Sequence, residues 1–152
     1  MRTILHSLIT LIWGLWFGGV MTLFLAVTAI FRAFPHEQRQ TAGQAAQYVF
    51  RFFNAYQLAL AAAALLATFV WCLWRRGPMK LGLFLLFGLV TFDACIIIRY
   101  IAPKIELLTR QGLTASPDFV RMHQISMILY LSEAVLLLVA GLFLPWLREP
   151  NV

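Results

Sequence analysis

Charged residues are scarce in this sequence, and their scarcity indicates the class of protein. Only 12% of the 152 residues are Asp, Glu, Lys or Arg, whereas 62% are hydrophobic. Soluble domains average about 25% charged and about 45–50% apolar residues. A soluble domain of this length does not bury enough surface to hide such an excess of apolar side chains. The composition therefore excludes an ordinary soluble domain and indicates a chain that is solvated by lipid.

Acidic residues are the rarer charge, with 6 Asp and Glu against 12 Lys and Arg. A basic balance can indicate nucleic-acid binding, but the basic residues here lie mostly at the ends of apolar runs. No Lys/Arg stripe with interleaved aromatic residues is present. Basic residues that flank membrane spans interact with anionic headgroups and influence orientation. We therefore predict a lipid bilayer as the environment and no nucleic-acid partner.

Cysteine is also rare, and Cys72 and Cys95 fall inside apolar runs. Neither belongs to a CxxC motif or to a spacing of metal ligands, so we interpret both as small buried hydrophobes. A GxSxG nucleophile elbow and an HExxH zinc motif are absent as well. The sequence therefore predicts no catalytic residues, no enzyme activity, no cofactor and no metal ligands.

Long apolar runs, by contrast, fill most of the chain. About 20 apolar residues suffice to cross a bilayer as a helix. Four runs reach that length, at about residues 3–31, 49–74, 81–102 and 119–147. The short link over residues 75–80 makes the second and third helices antiparallel neighbours, and two longer connections lie on the opposite side. The predicted fold is all-α: one domain over residues 1–152 that forms an integral membrane antiparallel four-helix bundle.

Proline and serine indicate where helices begin and end. We predict that Pro103 ends or kinks the third span. Residues 104–110 resemble a short amphipathic segment at the membrane interface. Ser116 then offers an N-cap, with Pro117 at the first helical position and Asp118 as an early acid.

Gly14 and Gly18 stand four residues apart in the first span. Such a pair of small residues lets a neighbouring helix approach closely in a membrane. We therefore predict that these two glycines are helix-packing residues.

An even number of spans places both termini on one side of the membrane. Basic residues occur on both sides, so the excess of positive charge in cytoplasmic loops gives no clear orientation. The compact Arg75-Arg76 turn favours cytoplasmic termini.

A set of short motifs occurs in a fixed order along most of the chain. They are His6 with Trp13-Gly14, Phe31-Arg32-Ala33-Phe34-Pro35, residues 43–50 with Phe52-Phe53, Arg99-Tyr100-Ile101-Ala102-Pro103, and His123 with Ser126. In these motifs the chain resembles the transmembrane-protein-205-like family, a four-span group of unknown function. It departs from the family pattern at Arg51, Ile97 and Tyr130. The resemblance implies a four-helix bundle in a membrane and no established reaction.

Asp93 and Glu133 each fall near the middle of a predicted span. An ionisable residue at that depth costs at least about 2.5–3.5 kcal/mol on insertion scales, so it normally faces the bundle interior and has a partner. We expect a proton-sharing pair, a cation site, or acids that pair with another subunit's basic residue. The alternative is a packing role, in which two protonated acids hydrogen-bond across helices.

A polar stripe on the fourth span leads to this depth. Its members recur at positions i, i+3, i+7 and i+10 of one helical face: His123, Ser126, Tyr130 and Glu133. Gln47, Arg51 and Asn54 share one face of the second span and approach from the same side. With Asp93, the stripe forms a candidate intramembrane polar site with the layout of a proton or cation path. Polar side chains also face a bundle seam simply to avoid lipid.

Histidine residues raise the alternative of a haem or metal site. His6 and His123 lie at opposite membrane sides, so they cannot both ligate one haem. His36 lies on the side of His123, with Glu37 and Asp118 as candidate neighbours. No HxxxH or HExxH pair supports a metal site.

Three functions are therefore open at the level of the sequence. The favoured hypothesis is a non-enzymatic accessory or scaffolding subunit of a membrane complex, with a protein partner or a second copy in the membrane. The second is a proton or cation carrier or channel that uses Asp93, Glu133 and the polar stripe. The third is a haem- or metal-binding membrane protein.

Overall fold

The computed structural model describes residues 2–74 and 77–147. Its helices are α1 (Arg2–Ala33), α2 (Arg39–Trp74), α3 (Pro78–Ile96), α4 (Ala102–Arg110) and α5 (Pro117–Phe143). Short 3₁₀ helices cover His36–Gln38 and Pro145–Leu147, and a π-helix over Ile97–Ile101 joins α3 to α4. The described residues contain no β-strand.

Four helical segments of the described chain are long and apolar enough to cross a membrane. They are Thr3–Ala33, Arg39–Trp74, Pro78–Arg110 and Pro117–Leu147. The predicted all-α architecture with four spanning helices is therefore confirmed, and the chain has the character of a multi-pass membrane protein. The helical form follows from the solvent, because hydrocarbon offers no partner to an unpaired backbone N–H or C=O group.

The second helix begins at Arg39, ten residues before the predicted start of its span. The polar segment after Pro35 contains several alanines and no further proline, so it continues the helix instead of forming a loop. Ala42 and Ala46 in this early part are buried. The chain reverses at Pro35, which has no N–H and restricts the residue before it.

Pro103 does not end the third span. The chain passes from α3 through the π-helix into α4, and Pro103 stands in the first turn of α4. A proline ring collides with the carbonyl four residues earlier in an ordinary α-helix, and the wider π-turn relieves this collision. The amphipathic segment predicted over residues 104–110 corresponds to most of α4.

The turn between α4 and α5 uses the residues that its geometry requires. Gly112 has φ +71°, the left-handed conformation that glycine adopts without strain after a helix. The Ser116 hydroxyl accepts a hydrogen bond from the Phe119 N–H at 3.2 Å, while Pro117 opens α5 and Asp118 lies in its first turn. The predicted cap is confirmed.

The helices form a ring in the order α1, α2, α3, α5. Each packs mainly against its two ring neighbours, so α1 lies diagonally across from α3, and α2 across from α5. Neighbours are antiparallel, and α2 and α5 therefore run in the same direction. We call the membrane side with the α4–α5 turn the α4–α5 side, and the opposite side the α2–α3 side.

Apolar side chains fill the interior of the ring and also cover its outside. Trp16 and Phe87 are fully buried, and their rings stack with centroids 6.2 Å apart and an interplanar angle of 7°. They come from α1 and α3, so this stack crosses the centre of the bundle. On the outside, Ile4 and Leu25 are each 71% exposed. An apolar exterior of this kind fits a lipid environment.

The two cysteines differ in their surroundings. Cys72 is half-buried, but Cys95 is exposed, so the prediction that both are buried is wrong for Cys95. Ala94 before it is fully buried, and one residue along an α-helix turns the side chain by about 100°. Cys95 consequently lies on the outer face of α3.

Candidate functional site

The carboxyl groups of Asp93 and Glu133 approach each other inside the bundle. Asp93 lies on α3 and Glu133 on its neighbour α5. They are close enough for the charge of one to act on the other. Glu133 is fully buried, and neither of its carboxyl oxygens has a hydrogen-bond partner. The Oδ2 atom of Asp93 is also buried and without a partner.

Both carboxyl groups stand near the middle of their spans. Glu133 lies 16 residues after Pro117 and 14 before Leu147, while Asp93 lies 15 after Pro78 and 17 before Arg110. Water is scarce at that depth, so these groups depend on protein atoms for hydrogen bonds. A carboxyl group at this depth that lacks a protein partner therefore cannot rely on bulk water for its hydrogen bonds.

A hydrogen bond between α2 and α5 lies next to the carboxyl pair. The Tyr130 hydroxyl donates to Asn54 Oδ1 at 2.9 Å, and Gln57 Nε2 approaches the same oxygen at 3.4 Å. The Tyr130 ring packs between Phe50 and Phe53, with centroid distances of 5.5 and 6.2 Å. Since α2 and α5 are diagonal partners, this bond passes through the centre of the bundle.

Gln57 is a further member of the site that the sequence analysis did not include. Its side chain is fully buried, and its Oε1 atom has no hydrogen-bond partner. Gln57 follows Asn54 by three residues, and Glu133 follows Tyr130 by three residues, about 4.5 Å along helices that run in the same direction. Gln57 and Glu133 therefore share one level of the bundle. The sequence does carry a signal for Gln57: it follows Asn54 by three residues, a spacing that places both side chains on one face of α2.

The polar stripe on α5 faces the interior over most of its length. Ser126, Tyr130 and Glu133 are all buried. His123 is exposed, and its ring stacks on Phe119 with centroids 6.0 Å apart. The structure thus brings together three of the four stripe residues and leaves His123 on the outer surface.

The polar residues predicted to share one face of α2 also separate into interior and exposed side chains. Asn54 reaches the interior, whereas Arg51 is exposed and its Nη2 atom contacts Glu106 Oε1 at 2.5 Å. Arg110 binds the same oxygen at 2.6 Å. These three charged side chains join α2 to α4 on the α4–α5 side, and Gln47 is half-buried.

Close contacts between helices at glycine residues were predicted at Gly14 and Gly18, but they occur at other glycines. A Cβ atom added to Gly14 or Gly18 would meet no atom of the described residues within 4 Å, so the prediction does not hold inside this chain. Close approaches occur instead at Gly19, where a Cβ would lie 2.9 Å from Tyr56 Cε1, and at Gly141, against the Trp13 ring. Gly14 and Gly18 line an open groove between α1 and α2.

The histidines do not assemble into one site. The Nε2 atom of His6 lies 3.1 Å from the Leu144 carbonyl on the α2–α3 side, and His123 is at the opposite side. The side chain of His36 lies outside the described part of the chain. Among the residues described, no group of three or more His, Cys, Asp and Glu side chains could hold a metal ion.

A family model matches most of the bundle that carries this site. The family is described as Domain of unknown function (DUF4149), and the match covers residues 11–114, from within α1 to the turn after α4. The chain belongs to the DUF4149 family. No curated protein and no solved structure matches it. The finer transmembrane-protein-205-like assignment stays a prediction.

The matched range of this DUF4149 protein includes only part of the site. Asn54, Gln57 and Asp93 fall inside residues 11–114, whereas Tyr130 and Glu133 lie beyond them on α5. The family is described as a domain of unknown function, so membership in it does not indicate a reaction. The function of this DUF4149 protein must therefore be inferred from the chemistry of the site.

We expect Tyr130→Phe to destabilise the DUF4149 bundle by about 0.6 kcal/mol and by no more than about 1.7 kcal/mol, the average and the maximum for side-chain hydrogen bonds between membrane helices. The substitution keeps the ring that packs on Phe50 and Phe53 and removes the hydroxyl that binds Asn54. Unfolding in a denaturing detergent measures the loss. Tyr48→Phe is the control, because Tyr48 is 63% exposed. Equal stabilities of the two variants would contradict the assigned bond.

Proposed function

We propose that this DUF4149 protein is a non-enzymatic, proton-handling membrane protein that binds and releases protons at Asp93 and Glu133. One observation carries the proposal: Glu133 is fully buried beside Asp93, and both of its carboxyl oxygens are without a hydrogen-bond partner. Two ionised carboxylates at this depth would repel each other and would lack solvation. Protons are the smallest species that neutralise them.

A count of donors and acceptors supports bound protons. Four buried acceptor oxygens lack a partner among the described residues: Gln57 Oε1, Asp93 Oδ2, and Glu133 Oε1 and Oε2. Trp16 Nε1 is the one unpartnered donor in the same set. A carboxylate or amide oxygen only accepts hydrogen bonds, whereas a protonated carboxyl also donates one. A proton on each acid therefore adds the two donors that these oxygens need.

Protons would leave such a pair one at a time. After the first leaves, the acid that keeps its proton is neutral, so the pair carries a single negative charge and titrates as a unit. Loss of the second proton leaves two neighbouring negative charges that repel each other. The pair thus suits a site that exchanges one proton in each cycle.

Proton flux into liposomes that contain the purified protein tests the proposal. We expect a flux above that of protein-free liposomes under an imposed potassium diffusion potential, read with an internal pH dye. Glu133→Gln and Asp93→Asn should reduce the flux to the protein-free rate, because the acid that remains has no second titratable carboxyl group with which to exchange the proton. Glu37→Gln changes an exposed acid and serves as the matched control. A flux that survives Glu133→Gln would remove the proposal.

A second candidate function is an accessory or scaffolding subunit with a protein partner in the membrane. The open groove beside Gly14 and Gly18 favours it, because small residues at such a surface let another helix approach. If a partner or a second copy occupies this groove, Gly18→Leu should convert the purified complex to monomers in light-scattering measurements. An unchanged mass would count against this candidate.

We also propose that both termini lie in the cytoplasm. The basic pair Arg75-Arg76, which follows the second span in the sequence and lies outside the described residues, supports this orientation. A reporter enzyme that is active only outside the cytoplasm, fused to the C-terminus, should be inactive. An active fusion would reverse the orientation.

A further inference from the structure

The polar side chains around the carboxyl pair are distributed unevenly along the bundle. We propose that, in this conformation, water and protons reach Asp93 and Glu133 from the α4–α5 side only. The identity of the transferred ion rests on the proposed function above. The route itself rests on which buried side chains are polar and which are apolar.

A series of polar side chains leads from the pair toward the α4–α5 side. One turn from Glu133 lies the hydrogen bond between Tyr130 and Asn54. One further turn along α5 lies Ser126, which is 9% exposed, the least covered of the buried residues of that helix. Beyond it, the exposed ion pair of Arg51 and Glu106 marks the water-facing end. Hydroxyl and amide groups at this spacing provide hydrogen-bond partners for water.

The bundle is closed in the opposite direction. The inward-facing residues that follow Glu133 on α5 are Leu137, Ala140 and Leu144, of which the first two are fully buried and Leu144 is 3% exposed. Apolar side chains fill the same levels from the other helices. These are Trp16 of α1 together with Leu83, Phe87 and Val90 of α3, each at most 1% exposed.

Two threonine hydroxyls in this apolar part donate to carbonyl groups of their own helices. Thr68 is buried on α2, and its hydroxyl donates to the Ala64 carbonyl at 2.6 Å. Thr91 donates in the same way to the Phe87 carbonyl at 2.7 Å. Water that entered from the α2–α3 side would therefore meet the Trp16–Phe87 stack, where Trp16 Nε1 is the one buried side-chain donor of the described residues without a hydrogen-bond partner. A site open to one side only is typical of a carrier and excludes an open channel in this conformation.

Cysteine labelling along α5 tests the route with a matched pair of positions. Ser126 and Ala140 each lie seven residues from Glu133, on the same helical face and in opposite directions. Ser126→Cys and Ala140→Cys are introduced separately into a chain in which Cys72 and Cys95 are alanine. A charged maleimide is added to the protein in mild detergent, so that both membrane sides meet the reagent equally.

We expect Ser126→Cys to react at least about tenfold faster than Ala140→Cys, because a thiol reacts as its thiolate and the thiolate forms only in contact with water. Equal rates, a faster reaction at Ala140→Cys, or no reaction at either position would overturn the route. Complete labelling after unfolding verifies that each cysteine is chemically competent. If a variant fails to fold, Asn54→Cys and Ala61→Cys provide an equivalent pair on either side of Gln57 on α2.

The labelling result and the flux result can fail separately. If Ser126→Cys reacts faster while Glu133→Gln leaves the liposome flux unchanged, the water route stands and the proton-handling function falls. If the two cysteines react equally while Glu133→Gln abolishes the flux, the function stands and one-sided access falls.

Discussion

Glu133→Gln is expected to remove one of two protonated-carboxyl C=O bands from the infrared spectrum of the purified protein at neutral pH. Both bands should shift in deuterium oxide, because each carboxyl in the proposed pair carries an exchangeable proton. Asp93→Asn should remove the other band, and the double variant both. The expectation follows from four buried acceptor oxygens that have no partner in the described bundle.

Glutamine and asparagine are chosen because they test protonation and not packing. Each keeps the shape of the acid that it replaces and contributes an N–H donor of its own, so the buried oxygens nearby still find a partner. We therefore expect the variants to fold like the unmodified chain. Glu37→Gln, at an exposed position, should leave both bands in place. A spectrum with carboxylate absorption only would show that the pair is ionised and would contradict the proton-binding site.

Gly141→Ala is expected to destabilise the bundle by about 1–3 kcal/mol, the usual penalty for overpacking a filled interior. A Cβ atom at this position would lie 2.6 Å from Trp13 Cε2 and closer still to Cζ2. The indole cannot easily move away. Its Nε1 atom donates to the Leu137 carbonyl at 2.6 Å, and its ring stacks on Phe17 with an interplanar angle of 6°.

Gly18→Ala is the matched control for this substitution. The same methyl group there meets no atom of the described residues within 4 Å, and alanine favours a helix by about 0.8–1.0 kcal/mol over glycine in water. Unfolding in a denaturing detergent measures both variants. Trp13→Leu should relieve part of the penalty of Gly141→Ala in the double variant. If Gly141→Ala is as stable as Gly18→Ala, the close approach of α1 and α5 is not as described.

The membrane architecture could be predicted because it depends on hydropathy alone. Runs of apolar residues define the spans, and lipid requires that a spanning backbone satisfy its own hydrogen bonds as a helix. The importance of Asp93 and Glu133 was predictable for a similar reason. A carboxyl group near the centre of a span is costly wherever the helix packs, so its depth along the sequence already distinguishes it.

The partners of side chains could not be predicted, because they depend on which helices are neighbours and on how each is rotated. Tyr130 binds Asn54 because α2 and α5 face each other across the ring, an arrangement that a list of spans does not contain. Gly18 and Gly19 differ by one residue and about 100° of rotation. Only Gly19 meets a neighbouring helix, at Tyr56. Spacing identifies a pair of glycines without showing which face of the helix they occupy.

The π-helix between α3 and α4 bears on how a proline is tolerated inside lipid. The Ala102 N–H donates to the Ile97 carbonyl, five residues back, so this turn pairs its backbone groups in a longer register than the α-helix around it. Where the register changes, the regular series of backbone hydrogen bonds is interrupted and an N–H group can be left without an acceptor. Proline has no backbone N–H, so Pro103 loses no hydrogen bond at this point. The residue that would ordinarily break a spanning helix is thus the one that best fits the interruption, and the described backbone stays helical from Pro78 to Arg110.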